Sequence, residues 1–112
     1  MNLDELANCI PDEEFETKES LVHWIADWKE NDKTVDDLSL LIEKWHGNVW
    51  FNNERTQNIF YEKWSIFKQT AIQNIGGMSM NERLYWFGLF EKYESTDKAG
   101  KLQIYHKLKA TP

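Results

Sequence analysis

The sequence predicts an all-helical protein, a compact bundle of five or six helices forming a single domain over residues 1–112. Three observations lead there. Apolar residues recur at i, i+3, i+4 and i+7 in one segment after another, which is the period of a helix with one buried face. Two segments open on capping boxes, Thr34 to Asp37 and Ser79 to Glu82. No convincing strand can be read. A chain of 112 residues suits one domain, and 41% hydrophobic with 14% aromatic residues supplies a core and argues against disorder.

Local signals then justify each element in turn. Asn2 caps a short first helix reaching Asn8 or Ile10, and Pro11 ends it. An acidic loop follows, Asp12 to Glu16. Thr17 caps a second helix, roughly Lys18 to Glu30, with Leu21, Trp24, Ile25 and Trp28 on its inner face. The polar break Asn31-Asp32-Lys33 precedes the Thr34 box and a third helix, in which Leu38, Leu41, Ile42 and Trp45 repeat the spacing. Gly47 falls just past that helix, where a positive φ is wanted. Val49-Trp50-Phe51 is too short to make a sheet and reads as a loop that plugs Trp50 or Phe51 into the core.

Asn53 caps the longest helix, Glu54 to Ile75, about 33 Å at 1.5 Å per residue. Phe60, Trp64, Phe67 and Ala71 line one side, Ile59, Ile66, Ile72 and Ile75 widen it, and Gly76-Gly77 ends it. The Ser79 box starts a fifth helix through about Tyr93, apolar on nearly every side and expected to be the most buried. Gly88 in its interior costs about 1 kcal/mol relative to Ala, which a close helix approach would offset. Thr96 caps a last helix to about Lys109, with Leu102, Ile104, Tyr105 and Leu108 inward.

Acids outnumber bases 19 to 13, for a net charge of −6 and a pI near 5.0. Non-specific nucleic-acid binding rests on a basic surface, so this balance disfavours it. Gly47 suggests the turn of a helix-turn-helix, but a recognition helix opening Glu54-Arg55-Thr56-Gln57 approaches phosphates poorly. The charge is also uneven. Residues 1–56 hold 14 acids and 5 bases, a net of −9, while residues 57–112 hold 5 acids and 8 bases, a net of +3. Glu13, Glu14, Glu16, Asp32, Asp36 and Asp37 therefore mark an acidic surface that would steer a basic partner. The plainer reading is solvated helix faces with acids near helix N-termini. Trp50 joins the candidate surface as an anchor, because it lies in a loop and Trp is enriched at interface hot spots.

Little in the chain suggests catalysis. Glu43-x-x-His46 puts two ligands on one helix face, as each half of a di-iron bundle does, but only one copy is present. His23 and Asp27, at i and i+4, more simply continue a solvent face. Cys9 has no basic neighbour in sequence to activate it. Zinc, nucleophile and phosphate-cradling motifs are missing. No enzyme activity, catalytic residue, metal or cofactor is expected. The acidic N-terminus lacks a secretory h-region, no apolar run is long enough to span a membrane, and a single Cys fits a reducing compartment, so the cytoplasm is expected.

A small, acidic, Trp-rich helical chain with the aromatic segment Met80-Asn-Glu-Arg-Leu-Tyr-Trp-Phe-Gly-Leu-Phe90 resembles the bacterial immunity proteins of bacteriocin and contact-dependent inhibition systems. The resemblance implies an inhibitor that binds a basic, nuclease-like toxin domain and covers its substrate groove with carboxylates. It carries over no individual residue. A helical adaptor or regulatory subunit is the alternative, and a small metal-dependent helical enzyme using Glu43, His46 and His23 is the second.

Overall fold

A computed structural model describes all 112 residues as seven α-helices and no strand. The helices are α1 (Leu3–Asn8), α2 (Phe15–Glu30), α3 (Val35–Asn48), α4 (Glu54–Phe67), α5 (Met80–Trp86), α6 (Phe90–Ser95) and α7 (Lys98–Lys107). A 3-10 turn, Asp12–Glu14, leads into α2; a π-helical segment, Lys68–Ile72, prolongs α4; and a second 3-10 turn covers Ile75–Gly77. No helix is long and apolar enough to cross a membrane.

Capping chemistry sets most helix starts. Asn2, Thr34 and Ser79 each form a full capping box, with Glu5, Asp37 and Glu82 returning the bond. The Asn53 side chain accepts from the backbone N–H groups of Arg55 and Thr56. Two expected caps move. α2 begins at Phe15 rather than after Thr17, because the turn on Pro11 starts the helix early and the Thr17 hydroxyl instead donates to the Trp50 carbonyl at 3.1 Å. α7 is capped by Asp97, which accepts from Gly100 N–H at 2.8 Å, and not by Thr96.

The glycines exchange the roles expected of them. Gly47 lies inside α3, which runs on to Asn48, and it has no positive φ. Gly88 has φ +64° and splits the expected fifth helix into α5 and α6. Leu89 N–H reaches the Leu84 carbonyl at 2.9 Å and Gly88 N–H reaches Tyr85 at 3.3 Å, the paired bonds of a Schellman motif. Phe87 and Leu89 at this break are fully buried, so the aromatic segment does reach the centre, as two short helices. The expected helix over residues 54–75 also changes register. Gln73 N–H bonds to the Lys68 carbonyl, an i to i+5 step, and this extra residue turns Ala71, Ile72 and Ile75 inward. Ile59 and Ile66 face solvent instead, as does Leu102 on α7, and Trp24 is only partly buried.

The buried apolar side chains form one cluster. At its centre an aromatic series runs Trp64–Phe67–Phe87–Trp28, with ring centroids 6.0, 5.6 and 6.0 Å apart. Each buried tryptophan places its indole N–H: Trp28 on the Thr34 carbonyl, Trp45 on Ser20 Oγ and Trp64 on Glu43 Oε1.

Lysines from the C-terminal third complete the end of α2. Lys107, 1% exposed, donates to the Trp28 carbonyl, to Lys33 O at 2.7 Å and to Asn31 Oδ1 at 3.3 Å, and its ammonium lies 4.2 Å from the Trp28 ring centroid. Lys92 donates to the Lys29 carbonyl at 2.8 Å and pairs with Glu30. Two cations thus occupy the negative end of the α2 dipole and bond its last carbonyls, Trp28 and Lys29, of which Trp28 also accepts from Asn31 N–H at 3.3 Å.

Candidate partner-binding surface

The loop between α3 and α4 is fastened to the start of α2. Glu14 is 3% exposed, and both of its carboxylate oxygens accept from Asn52 N–H at 2.8 Å. Thr17 holds the Trp50 carbonyl two residues earlier in the loop. On the inner side Phe51 packs against Trp45, Phe60 and His46, with ring centroids 6.2, 6.2 and 6.4 Å away. Of the two candidates for the core plug, Phe51 takes that place. Trp50 turns outward and is 90% exposed. An ordered loop therefore holds an almost bare indole in water.

The structure divides the candidate surface in two. Glu13 and Glu16 are exposed and flank Glu14 and Thr17, the two tethers of the Trp50 loop. Glu14 itself belongs to the interior and is withdrawn from the surface. Its carboxylate accepts two short bonds from a loop N–H, and a buried carboxylate so engaged is a structural brace. Asp32, Asp36 and Asp37 lie beyond the far end of α2. That helix has 16 residues and is about 24 Å long, several times the ~8 Å Debye length at physiological salt, so the two groups do not act as one face.

The far group is also largely committed within the fold. Asp36 pairs with Lys109 at 2.9 Å, and Lys33, Lys92, Lys107 and Lys109 are interleaved with these acids. Asp37 is spent on the capping box, where the Thr34 N–H and hydroxyl hold its carboxyl below the ordinary carboxylate value. Asp32 is exposed and makes no ion pair.

Phe15 belongs to the near group and was not among the sequence candidates. It is 60% exposed between Glu14 and Glu16. Its signal was available in the sequence: Lys18 and Glu19 at i+3 and i+4 leave it no apolar partner on its helix face. The near end thus presents Trp50 and Phe15 beside Glu13 and Glu16, aromatic anchors framed by carboxylates.

Glu43 and His46, the possible ligand pair, do different work. The Glu43 carboxylate accepts from Trp64 Nε1 at 2.9 Å, Lys68 Nζ at 3.0 Å and the Tyr61 hydroxyl at 3.2 Å. Burial pushes its pKa up, but these donors and the Lys68 charge outweigh burial and hold it below the usual value. His46 stacks on Phe60 at 6.1 Å and tilts against Tyr61 at 4.7 Å, with its Nε2 buried and unpartnered. Burial lowers its pKa more than the Glu43 charge raises it, which favours the neutral ring. No three His, Cys, Asp or Glu side chains converge as a metal site would require. His23 pairs with Asp27 on the solvent face at 3.6 Å. Cys9 is partly buried, its thiol donates to the Leu6 carbonyl, and burial raises its pKa, so the thiolate is disfavoured.

Compared with known protein families, curated proteins and solved structures, the chain matches none.

Proposed function

We propose that this protein is a binding inhibitor of the immunity type, docking a basic, nuclease-like toxin domain with its Trp50 end. The observation that carries the reading is the pair of tethers, Glu14 to Asn52 and Thr17 to Trp50, which display a 90% exposed indole in a fixed loop beside Glu13 and Glu16. Exposing so much apolar surface in water is unfavourable, and a loop whose backbone is already tethered loses little entropy on binding. Exposed carboxylates around an aromatic anchor would speed encounter with a basic surface, and the anchor would slow release.

A second reading, a helical adaptor, is favoured by another apolar surface. Met1, Ile66, Phe67 and Trp86 line a cleft of about 230 Å³ beside the π-helical segment. An adaptor would use both surfaces at once.

The test begins with affinity capture of a partner, followed by association and dissociation rates at several salt concentrations. Glu13→Gln combined with Glu16→Gln should lower the association rate and flatten its salt dependence. Trp50→Ala should speed dissociation. Rates that ignore salt and all three substitutions would remove this end of the molecule from the interface. Loss of binding on Ile66→Asp instead would favour the adaptor reading.

A further inference from the structure

Two open clefts meet at His46 and Gly47. One, of about 530 Å³, is bordered by Asn48, Trp50, Phe51 and Gln57. The other, of about 580 Å³, is bordered by Glu43, Asn58, Tyr61 and Glu62. Neither contains a Lys or Arg of this chain. Glu43 is saturated by its three donors, whereas Glu62 is exposed and joins none of the ion pairs of the fold. The lysines that lie over aromatic rings do so at Trp64, Tyr93 and Trp28, which leaves the Trp50 face free. Between the clefts Gly47 is exposed and adds no side chain, and a β-carbon there would meet nothing within 4 Å.

We infer that this double cleft receives an arginine side chain of the partner, lying along the Trp50 face and reaching past Gly47 toward Glu62. The inference rests on the docking reading above and names the chemistry of the residue recognised. Three features match a guanidinium. Its weakly hydrated plane stacks on an indole. Its fan of N–H donors suits the amide oxygens of Asn48 and Gln57 and the carboxylate of Glu62. Burial holds the His46 ring toward its neutral form, so it sets no opposing charge between the clefts near neutral pH.

The test uses the isotope-labelled full chain and two probes, acetyl-Gly-Arg-Gly-amide and its neutral citrulline counterpart, followed by amide and indole N–H shifts. The arginine peptide should move the Trp50 indole together with Gly47 and Gln57, and the citrulline peptide should bind at least about tenfold more weakly. Trp50→Ala and Glu62→Gln should each weaken the arginine peptide, and Gly47→Arg, which supplies the cation internally, should abolish its binding while the chain stays folded by circular dichroism. Equal shifts with citrulline, shifts confined to Glu13 and Glu16, or no shift at all would overturn the inference. So would a captured partner whose binding depends on Glu13 and Glu16 but ignores Glu62→Gln and Gly47→Arg, and that result would leave the docking reading standing. A peptide that binds the cleft while partner binding ignores Glu13, Glu16 and Trp50 would sink the docking reading alone.

Discussion

The Asp4 carboxylate occupies the space where a β-carbon on Gly88 would stand. Asp4 also pairs with Lys29 at 2.7 Å, so α1, α2 and the break between α5 and α6 meet over one missing methyl group. Gly88 is the left-handed residue of the Schellman motif.

Gly88→Ala should therefore destabilise the protein by about 1–3 kcal/mol, from left-handed strain plus displacement of the ion pair. A glycine inside a continuous helix would show the opposite sign, a gain of about 1 kcal/mol. A urea melt decides between them by the direction of the midpoint shift.

Gly47 gives the complementary case. It is helical and its surroundings are open, so Gly47→Ala should stabilise by about 0.5–1 kcal/mol. The same melt reads it, and a loss would mean that α3 does not extend past residue 46.

These two glycines show what sequence reading could and could not reach. The all-helical architecture was largely legible, as five or six helices against seven, because its signals are local: the Thr34, Ser79 and Asn53 caps act within three residues, and the faces bearing Trp28, Trp45 and Trp64 repeat within a turn. What failed depended on distant contacts. At Gly88 the helix stop itself is local, a left-handed residue closing the bonds to Leu84 and Tyr85, but that a side chain there would collide is settled by Asp4 and Lys29, far away in sequence. Thr17 looked like a cap, but its hydroxyl serves a carbonyl 33 residues on. At the candidate site Trp50 was legible as a loop residue only, since whether it or Phe51 fills the core is decided by Phe51 packing on Trp45 and Phe60. Glu14 was not, because it differs from Glu13 and Glu16 only in a bond to Asn52 that composition does not reveal.

Lys107→Met should destabilise by about 2–4 kcal/mol, since it removes the buried ammonium that bonds the Trp28 and Lys33 carbonyls and Asn31. The wild-type residue carries a pH signature as well. Burial, and then the Lys92 ammonium, lower its pKa from 10.5 to about 8, against the pull of Asp32, Asp37 and Glu30. The unfolded chain therefore binds more protons than the folded one between about pH 8 and 10.5, and the Lys107 contribution to stability rises with pH across that window. Denaturant melts of the wild type minus the Met variant should show that slope, and side-chain NMR should find one lysine titrating near 8.

His46 gives a second pH signature, on the acid side. Burial holds its folded pKa below the ordinary 6.5, so the stability it contributes is complete above 6.5 and falls as the pH drops from that value toward the folded one. His46→Phe keeps the packing with Phe51, Phe60 and Tyr61 and should remove this part of the acid sensitivity. Thermal melts from pH 7.5 to 5 should show the two proteins diverging below about 6.5, the unperturbed His value. Parallel curves would mean that the ring takes up its proton equally in the folded and unfolded chain.

The lysine clasp on the end of α2 makes that helix depend on residues far along the chain. Lys92 binds its end across 63 residues and Lys107 across 79. Closing a loop of that size costs about 4 kcal/mol beyond the constant term, so the clasp forms only when the intervening helices have already drawn the ends together. The last turn of α2 should therefore be completed only once α6 and α7 have docked, and should open when they come away. Hydrogen exchange in that turn should report the cooperative opening of the whole fold, whereas an isolated α2 would fray there freely. A helix that looks local on paper is, at one end, a readout of global folding.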